Sequence, residues 1–473
     1  MGASAIVSPD RSPWVRRWAT SVFPSTATGS WIPDVHGSRA IPTQLIDNRR
    51  PVDKAVLVGA PDREVPPRLA EEHLLELARL TDTAGGQVAG FLRQRIDSPH
   101  PRYYIGDGKA EELAEMVKET GADLVIFDEE LTPAQGKNLE SRVGVRVMDR
   151  PELILDIFAT RARSREARMQ VELAQLQYLL PRLKRMWSHL SRTRGGIGLR
   201  GPGETQLETD RRLIGTRISA LRRQLKDVAA ARETQRKSRQ GSFRAALVGY
   251  TNAGKSSLLR ALSGADVLVE DRLFATLDST TRSVELEAGL EALLTDTVGF
   301  IRKLPHHLVA SFRSTLEEAR EADVLLHVVD ASHPDREEHE EVVREVLEDL
   351  DLHRRPQLLV YNKIDRLTHD EEQALRDRVR ALSPAPAVFV SAHQPETLEA
   401  LKAALLERLR ARLATVRLTV PARAGDVLAA LHREGEVLSQ EARGTTIEVT
   451  ARVPEALLGR LRARPNVEIS EVP

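Results

Sequence analysis

The segment Gly249-Tyr-Thr-Asn-Ala-Gly-Lys-Ser256 has the spacing that wraps a backbone around phosphate. Arg244 to Val248 before it reads as a buried strand, and Gly254-Lys-Ser-Ser-Leu-Leu259 opens a helix. Gly249 and Gly254 permit the tight turn, so the backbone N–H groups of Tyr250, Thr251, Asn252 and Ala253 can face phosphate oxygens. The helix N-terminus adds partial positive charge. Lys255 is placed to reach the β- and γ-phosphates, and the Ser256 hydroxyl to ligate Mg²⁺.

Four further segments follow in order. Asp296-Thr297-Val298-Gly299 ends the strand Ala292 to Leu294; Asp296 is expected to hold Mg²⁺ through water, and the Gly299 N–H to sense the γ-phosphate. In Phe274-Ala275-Thr276-Leu277-Asp278, Thr276 is the expected second hydroxyl on Mg²⁺, with Thr280 and Thr281 near enough in sequence to compete for that role. Asn362-Lys363-Ile364-Asp365 follows the apolar run Leu358 to Tyr361, at the carboxyl end of a strand, where open α/β sheets bind ligands. The Asp365 carboxylate can accept from guanine N1–H and the 2-amino group, donors that adenine lacks there, and an unpaired carboxylate is costly. Ser391-Ala392-His393 follows another strand, and a backbone N–H there can meet guanine O6.

Together these segments point to a site for GTP or GDP with Mg²⁺, in which Lys255, Thr276 and Gly299 act on the reacting phosphate. The residue after Gly299 is Phe300. Phenylalanine cannot orient water by hydrogen bonding, so intrinsic hydrolysis is expected to be slow and to be accelerated by a partner.

The elements that must hold these residues form an α/β class fold. Strands and helices alternate over 242–413, with helices expected at 308–320, 335–350, 369–382 and 397–412, as in a doubly wound P-loop sheet. A small α/β domain is expected over 52–157. Within it, Gly106-Asp-Gly-Lys109 starts a helix, and Leu124-Val-Ile-Phe-Asp-Glu129 ends a strand in two acids. That is the outline of a second nucleotide site, for ATP, without the full phosphate-loop spacing. Residues 414–473 run β-α-β-β-α-β, a ferredoxin-like α+β order.

Residues 158–241 differ in kind. Met169, Leu173, Leu176, Leu180, Leu183, Trp187 and Leu190 step by 4 and 3, as do Ile214, Ile218, Leu221, Leu225 and Val228. These are coiled-coil seams, so a projecting helical hairpin is expected, kinked at Pro181 and tipped by the glycine-rich stretch 191–203. From 182 to 223 there are eleven basic residues against three acids, a net +8 in a chain whose net charge is zero. Arg192, Arg194 and Arg200 on the tip are candidates for RNA phosphate contact.

The 473 residues leave room for about three domains, and the absence of cysteine excludes disulfides and thiolate metal sites. No apolar run approaches the roughly 20 residues that span a bilayer. Residues 1–51, rich in Ser, Pro and Arg, read as a disordered extension. The expectation is a cytoplasmic protein, monomeric when free.

At this point the chain resembles the HflX GTPases. Besides the five motifs, Tyr104-Ile-Gly-Asp-Gly-Lys109, Val125-Ile-Phe-Asp-Glu-Glu-Leu131, Leu153-Ile-Leu-Asp-Ile-Phe158, Gln170-Val-Glu-Leu-Ala-Gln175 and Arg194-Gly-Gly-Ile-Gly-Leu-Arg-Gly-Pro-Gly-Glu204 are similar to that family's N-terminal domain and hairpin. The resemblance covers about 52–412; Ser279 stands where the family has proline in Leu-Asp-Pro-Thr. It implies binding to the large ribosomal subunit, splitting or rescue of stalled ribosomes or a role in subunit maturation, and hydrolysis stimulated by the ribosome. It also implies a hairpin tip near ribosomal RNA and ATP binding by the N-terminal region. Two other functions remain open: an RNA-remodelling ATPase driven from 52–157, and a regulatory scaffold that binds GTP without needing to hydrolyse it.

Overall fold

The computed structural model describes residues 53–183, 202–237, 242–264, 272–287, 289–304, 318–383, 385–464 and 467–471. These fall into two compact units that meet in sequence between Ala159 and Thr160.

The first unit is a parallel four-stranded sheet with flanking helices. Its elements are β1 (Lys54–Gly59), α1 (Pro67–Thr83), β2 (Gln87–Arg93), α2 (Asp107–Thr120), β3 (Leu124–Phe127), α3 (Pro133–Val143), β4 (Arg146–Asp149) and α4 (Arg150–Arg161). The strand order is β2-β1-β3-β4. Central β1 is almost wholly apolar because helices cover both faces of a parallel sheet. A capping box starts α3: the Thr132 side chain accepts from Gln135 N–H while the Gln135 side chain accepts from Thr132 N–H.

The second unit opens with α5 (Arg165–Leu179), a 3₁₀ turn at Leu180–Arg182, and the long α6 (Pro202–Lys237). The 3₁₀ turn falls where Pro181 deprives the backbone of a donor. Met169, Leu173, Leu176, Leu183, Ile214, Ile218 and Leu221 are buried, as the two seams require. Arg217 forks onto both oxygens of Glu172, at 2.6 and 2.8 Å, from one helix to the other. Trp187, Leu190 and most of the expected tip lie outside the described residues; Pro202 and Gly203, read as tip, instead open α6, proline being suited to a first helical position.

The larger sheet follows: β5 (Phe243–Gly249), α7 (Lys255–Ser263), β6 (Thr280–Glu287), β7 (Leu290–Asp296), β8 (Val324–Asp330), α8 (Arg336–Asp349), β9 (Gln357–Asn362), α9 (His369–Leu382), β10 (Ala387–Phe389) and α10 (Pro395–Arg410). Strand order is β10-β9-β8-β5-β7-β6, parallel except for β6, which runs antiparallel at the edge. The expected helix at 308–320 lies outside the described residues except for its last three. Register sets the site. Leu247 pairs with Asp296, Gly249 with Val328, and Asp330 with Asn362. The motifs therefore converge at one edge, the carboxyl ends of the parallel strands.

The chain ends with β11 (Ala414–Pro421), α11 (Gly425–Glu434), β12 (Glu436–Arg443), β13 (Thr446–Val453), α12 (Glu455–Arg462) and β14 (Glu468–Glu471). The antiparallel order β12-β13-β11-β14 is the ferredoxin-like one. The turn between β6 and β7 rests on this part. Gly289 has φ +83°, and a Cβ there would come within 2.9 Å of the His432 carbonyl oxygen. Arg410 reaches Glu287 at 2.5 Å and Glu436 at 2.6 Å.

Candidate functional site

The phosphate loop is held in shape from three sides before any ligand is considered. Phe300 N–H donates to the Gly249 carbonyl at 3.0 Å, and Thr251 N–H donates to the Phe300 carbonyl at 2.6 Å. Asn362 Nδ2 donates to the Ala253 carbonyl at 2.9 Å, while its Oδ1 accepts from Ala392 N–H at 3.2 Å. The Thr251 hydroxyl accepts from Phe274 N–H at 3.1 Å. Two of the sequence motifs, and Phe300 just after a third, therefore act partly on the loop itself. Gly254 has φ +93°, and a Cβ there would lie 2.2 Å from Asn362 Nδ2, so only glycine lets the asparagine approach.

Lys255 is 6 % exposed, and its ammonium donates to the Gly249 and Tyr250 carbonyls at 3.1 and 2.8 Å. Burial lowers its pKa to about 8; Lys363 adds to the fall and Asp296 opposes it. Gly299 approaches so closely that a Cβ there would meet Thr251 Cα at 2.7 Å and Lys255 Nζ at 3.0 Å.

Ser256, Thr276 and Asp296 come together. Ser256 Oγ lies 2.6 Å from Thr276 Oγ1 and donates to Asp296 Oδ2 at 2.5 Å. Asp296 is fully buried, and its Oδ1 has no hydrogen-bond partner among the described residues. Burial pushes its carboxyl up from the ordinary range, against the pull of Lys255 and donors from Ser256, Thr276 and Thr297. The Thr297 hydroxyl is turned to the Leu247 carbonyl at 2.7 Å, bracing β5 against β7. Thr280 and Thr281 begin β6 instead, with Thr281 Oγ1 2.8 Å from Thr295 Oγ1.

At the base-reading end, Asp365 Oδ1 accepts from the Ser391 hydroxyl at 2.5 Å, and Ser391 Oγ accepts from His393 N–H at 3.1 Å. Lys363, at φ +66°, extends along the loop to the Asn252 carbonyl at 2.8 Å and to Asp330 at 2.7 Å. Leu277, Val298 and Ile364 are buried, leaving only their main chains to offer. Asp278 does not face this pocket: its carboxylate accepts from the backbone N–H groups of Arg163 and Ser164, at 3.1 and 3.0 Å.

Two residues escaped the sequence reading. Asp330, at the end of β8, anchors Lys363; burial raises its carboxyl, but Lys363 and the Ser332 donors more than offset this and hold it below its ordinary value. An acid closing the buried run Val324 to Val329, apolar except for His327, was the available signal. Arg272 lines the same pocket as Lys255, Ser256, Thr276 and Gly299. Its chain position carries no motif that could have marked it. The tip residues Arg192, Arg194 and Arg200 lie outside the described residues.

Comparison with known proteins gives three family matches. Residues 71–159 match a model described as GTP-binding GTPase N-terminal, 161–239 one described as GTP-binding GTPase Middle Region, and 244–363 one described as 50S ribosome-binding GTPase. The chain is 47 % identical to GTPase HflX of Alkalihalophilus pseudofirmus, covering 83 % of this chain and 91 % of that protein. It is 44 % identical to GTPase HflX of Magnetococcus marinus (90 % and 99 %) and 48 % identical to GTPase HflX of Escherichia coli (75 % and 83 %). A solved structure of a GTP-binding protein from Sulfolobus solfataricus in complex with GDP aligns with a TM-score of 0.41 and 25 % identity, over 76 % of this chain and 99 % of that one. Among the described residues, no helix is long and apolar enough to cross a membrane.

Proposed function

The chain belongs to the HflX family of GTPases and hydrolyses GTP, and from that premise we propose that it acts on the large ribosomal subunit, splitting or rescuing stalled ribosomes or serving subunit maturation. The observation that carries this reading is Phe300. Its side chain is 1 % exposed, and its main chain is taken up by Gly249 and Thr251. Position 300 therefore supplies no group that orients water beside Gly299, and on this reading the site holds the triphosphate until a partner completes it. The match of 244–363 to a ribosome-binding GTPase model supports the ribosome as that partner, and a ribosome factor of this kind would work in the cytoplasm.

The chemistry follows from the site. The N–H groups at the start of α7, those of Gly254, Lys255 and Ser256, would bind the phosphates, the Thr251 N–H being committed to the Phe300 carbonyl. Lys255 leaves its two neutral carbonyl acceptors for β- and γ-phosphate oxygens, which bind an ammonium more strongly. The Ser256 and Thr276 hydroxyls would hold a magnesium ion directly and Asp296 through water. The fit rests on the two adjacent hydroxyls and on the buried, unpartnered Oδ1 of Asp296. When bound, that ion neutralises charge developing between the β- and γ-phosphates. The Gly299 N–H would face the transferring phosphoryl group, and Asp365 would read guanine, with the Ala392 N–H turning from Asn362 Oδ1 to guanine O6 when the base binds. Arg192, Arg194 and Arg200 would contact ribosomal RNA.

The test is GTP turnover with and without added large subunits. We expect slow basal turnover and strong stimulation, with the triple replacement of Arg192, Arg194 and Arg200 by Ala abolishing stimulation while nucleotide affinity stays nearly constant. Fast turnover without subunits would overturn the proposal.

A further inference from the structure

Thr276 and Asp278 lie two residues apart in the segment that leads into β6, and their side chains go to different places. Thr276 Oγ1 is 2.6 Å from Ser256 Oγ. Asp278 Oδ2 accepts from the N–H groups of Arg163 and Ser164, and its Oδ1 accepts from the Ser164 hydroxyl. Ser164 in turn caps α5, its Oγ accepting from Ala167 N–H at 3.0 Å. Leu277, between the two polar residues, is buried and anchors the segment from which they diverge. The carboxylate thus forms an outer tier of the cap on the first hairpin helix. It is charge-assisted, and it lies where the helix dipole favours an anion.

We propose that Asp278 is a positioning residue that couples the triphosphate to the hairpin. When Thr276 is seated on the magnesium side of the pocket, Asp278 is presented to the start of α5 and holds it. When the segment relaxes after hydrolysis, the bonds to Arg163 and Ser164 are released. The geometry suits such a link because Leu277 alone separates the two side chains. A purely structural cap would be made in both nucleotide states; a coupling residue makes it in one. The proposal rests on the reading that Thr276 joins the magnesium shell, and it does not depend on the ribosome.

Hydrogen–deuterium exchange of the full chain tests it, following amides 163–168 with GDP and with a non-hydrolysable GTP analogue, magnesium present in both. We expect these amides to exchange about fivefold more slowly with the analogue, the size of one cap interaction. In Asp278→Ala the difference between the two nucleotides disappears, and Asp278→Asn, which keeps the shape and one acceptor, shows a smaller difference than the wild type. Equal protection in both states of the wild-type protein would overturn the proposal, as would a nucleotide-dependent difference that survives in Asp278→Ala. Magnesium dependence of analogue binding, measured separately in Thr276→Ala, addresses the underlying reading. If that dependence is unchanged, the magnesium assignment of Thr276 is what fails.

Discussion

Two regions of this chain share a local outline: a lysine in the first turn of a helix and acids at the end of a strand. In the first unit these are Lys109, Asp128 and Glu129; in the second, Lys255 and Asp296. Their bonding differs. Lys109 is paired with Glu112 at 2.7 Å, Asp128 with the wholly buried Arg150 at 2.7 Å, and Glu129 accepts from Ala60 N–H at 3.0 Å. Arg150 also binds Glu76. Among the described residues of the second unit, Lys255 is bound only by neutral carbonyls of its own loop, and one oxygen of Asp296 has no partner. Residue types mark both places equally. What separates them is whether the polar atoms are already committed to the fold.

The sharpest way to break this contrast is to remove Arg150. Arg150→Ala strands Asp128 and Glu76 in the interior, and we expect the first unit to lose about 3–5 kcal/mol of stability, measured by urea unfolding. A loss below about 1 kcal/mol would mean that these acids are not committed to structure. Next in size is the lysine pair. Lys255→Ala should lower kcat/KM for GTP on the order of 10²–10³-fold, as expected for removing a preorganised donor to a charged transition state, whereas Lys109→Ala should leave it unchanged. Equal losses would erase the distinction.

A third test uses a buried group outside the nucleotide pocket. Burial lowers the His327 pKa from 6.5 to about 4. The unfolded chain therefore takes up the proton first as pH falls, and stability decreases between pH 6.5 and 4, by up to about 3 kcal/mol. The decrease should flatten in His327→Gln; an unchanged slope would assign the acid sensitivity elsewhere. The smallest effects are expected at the capping boxes, one in each unit. Thr132→Ala and Thr368→Ala should each cost about 1 kcal/mol and leave GTP affinity untouched, and a change in affinity from Thr132→Ala would tie the first unit to the nucleotide.

Much of the site was legible because its parts are short and local. The phosphate loop, Asp296, Asn362 and Ser391 each follow an apolar run, and parallel register brings such strand ends to one edge without further information. What the sequence hid was long-range. Asp278 meets Ser164 across 114 residues, and nothing near either residue signals the other. The reading gave Asp278 to the nucleotide because its neighbours in Phe274 to Asp278 belong there. Antiparallel β6 was missed for another reason. Thr280 to Glu287 alternates weakly, and its start is polar enough to pass for loop. Seam spacing located the buried faces of α5 and α6, but the glycines at 201–203 blurred where α6 begins, since Pro202 both ends a loop and starts a helix well.

The turn at Gly289 bears on how this chain can be shortened. A protein cut after Arg412 would lose the carbonyl wall behind that turn and one of the two carboxylates that Arg410 holds. The β6–β7 hairpin would then be anchored at one end only. Its other end is where Thr280 lies opposite Asp296. Residues 414–471 are thus a backstop for the ribbon that carries Asp296, and trimming them to obtain a minimal GTPase would loosen the enzyme from behind.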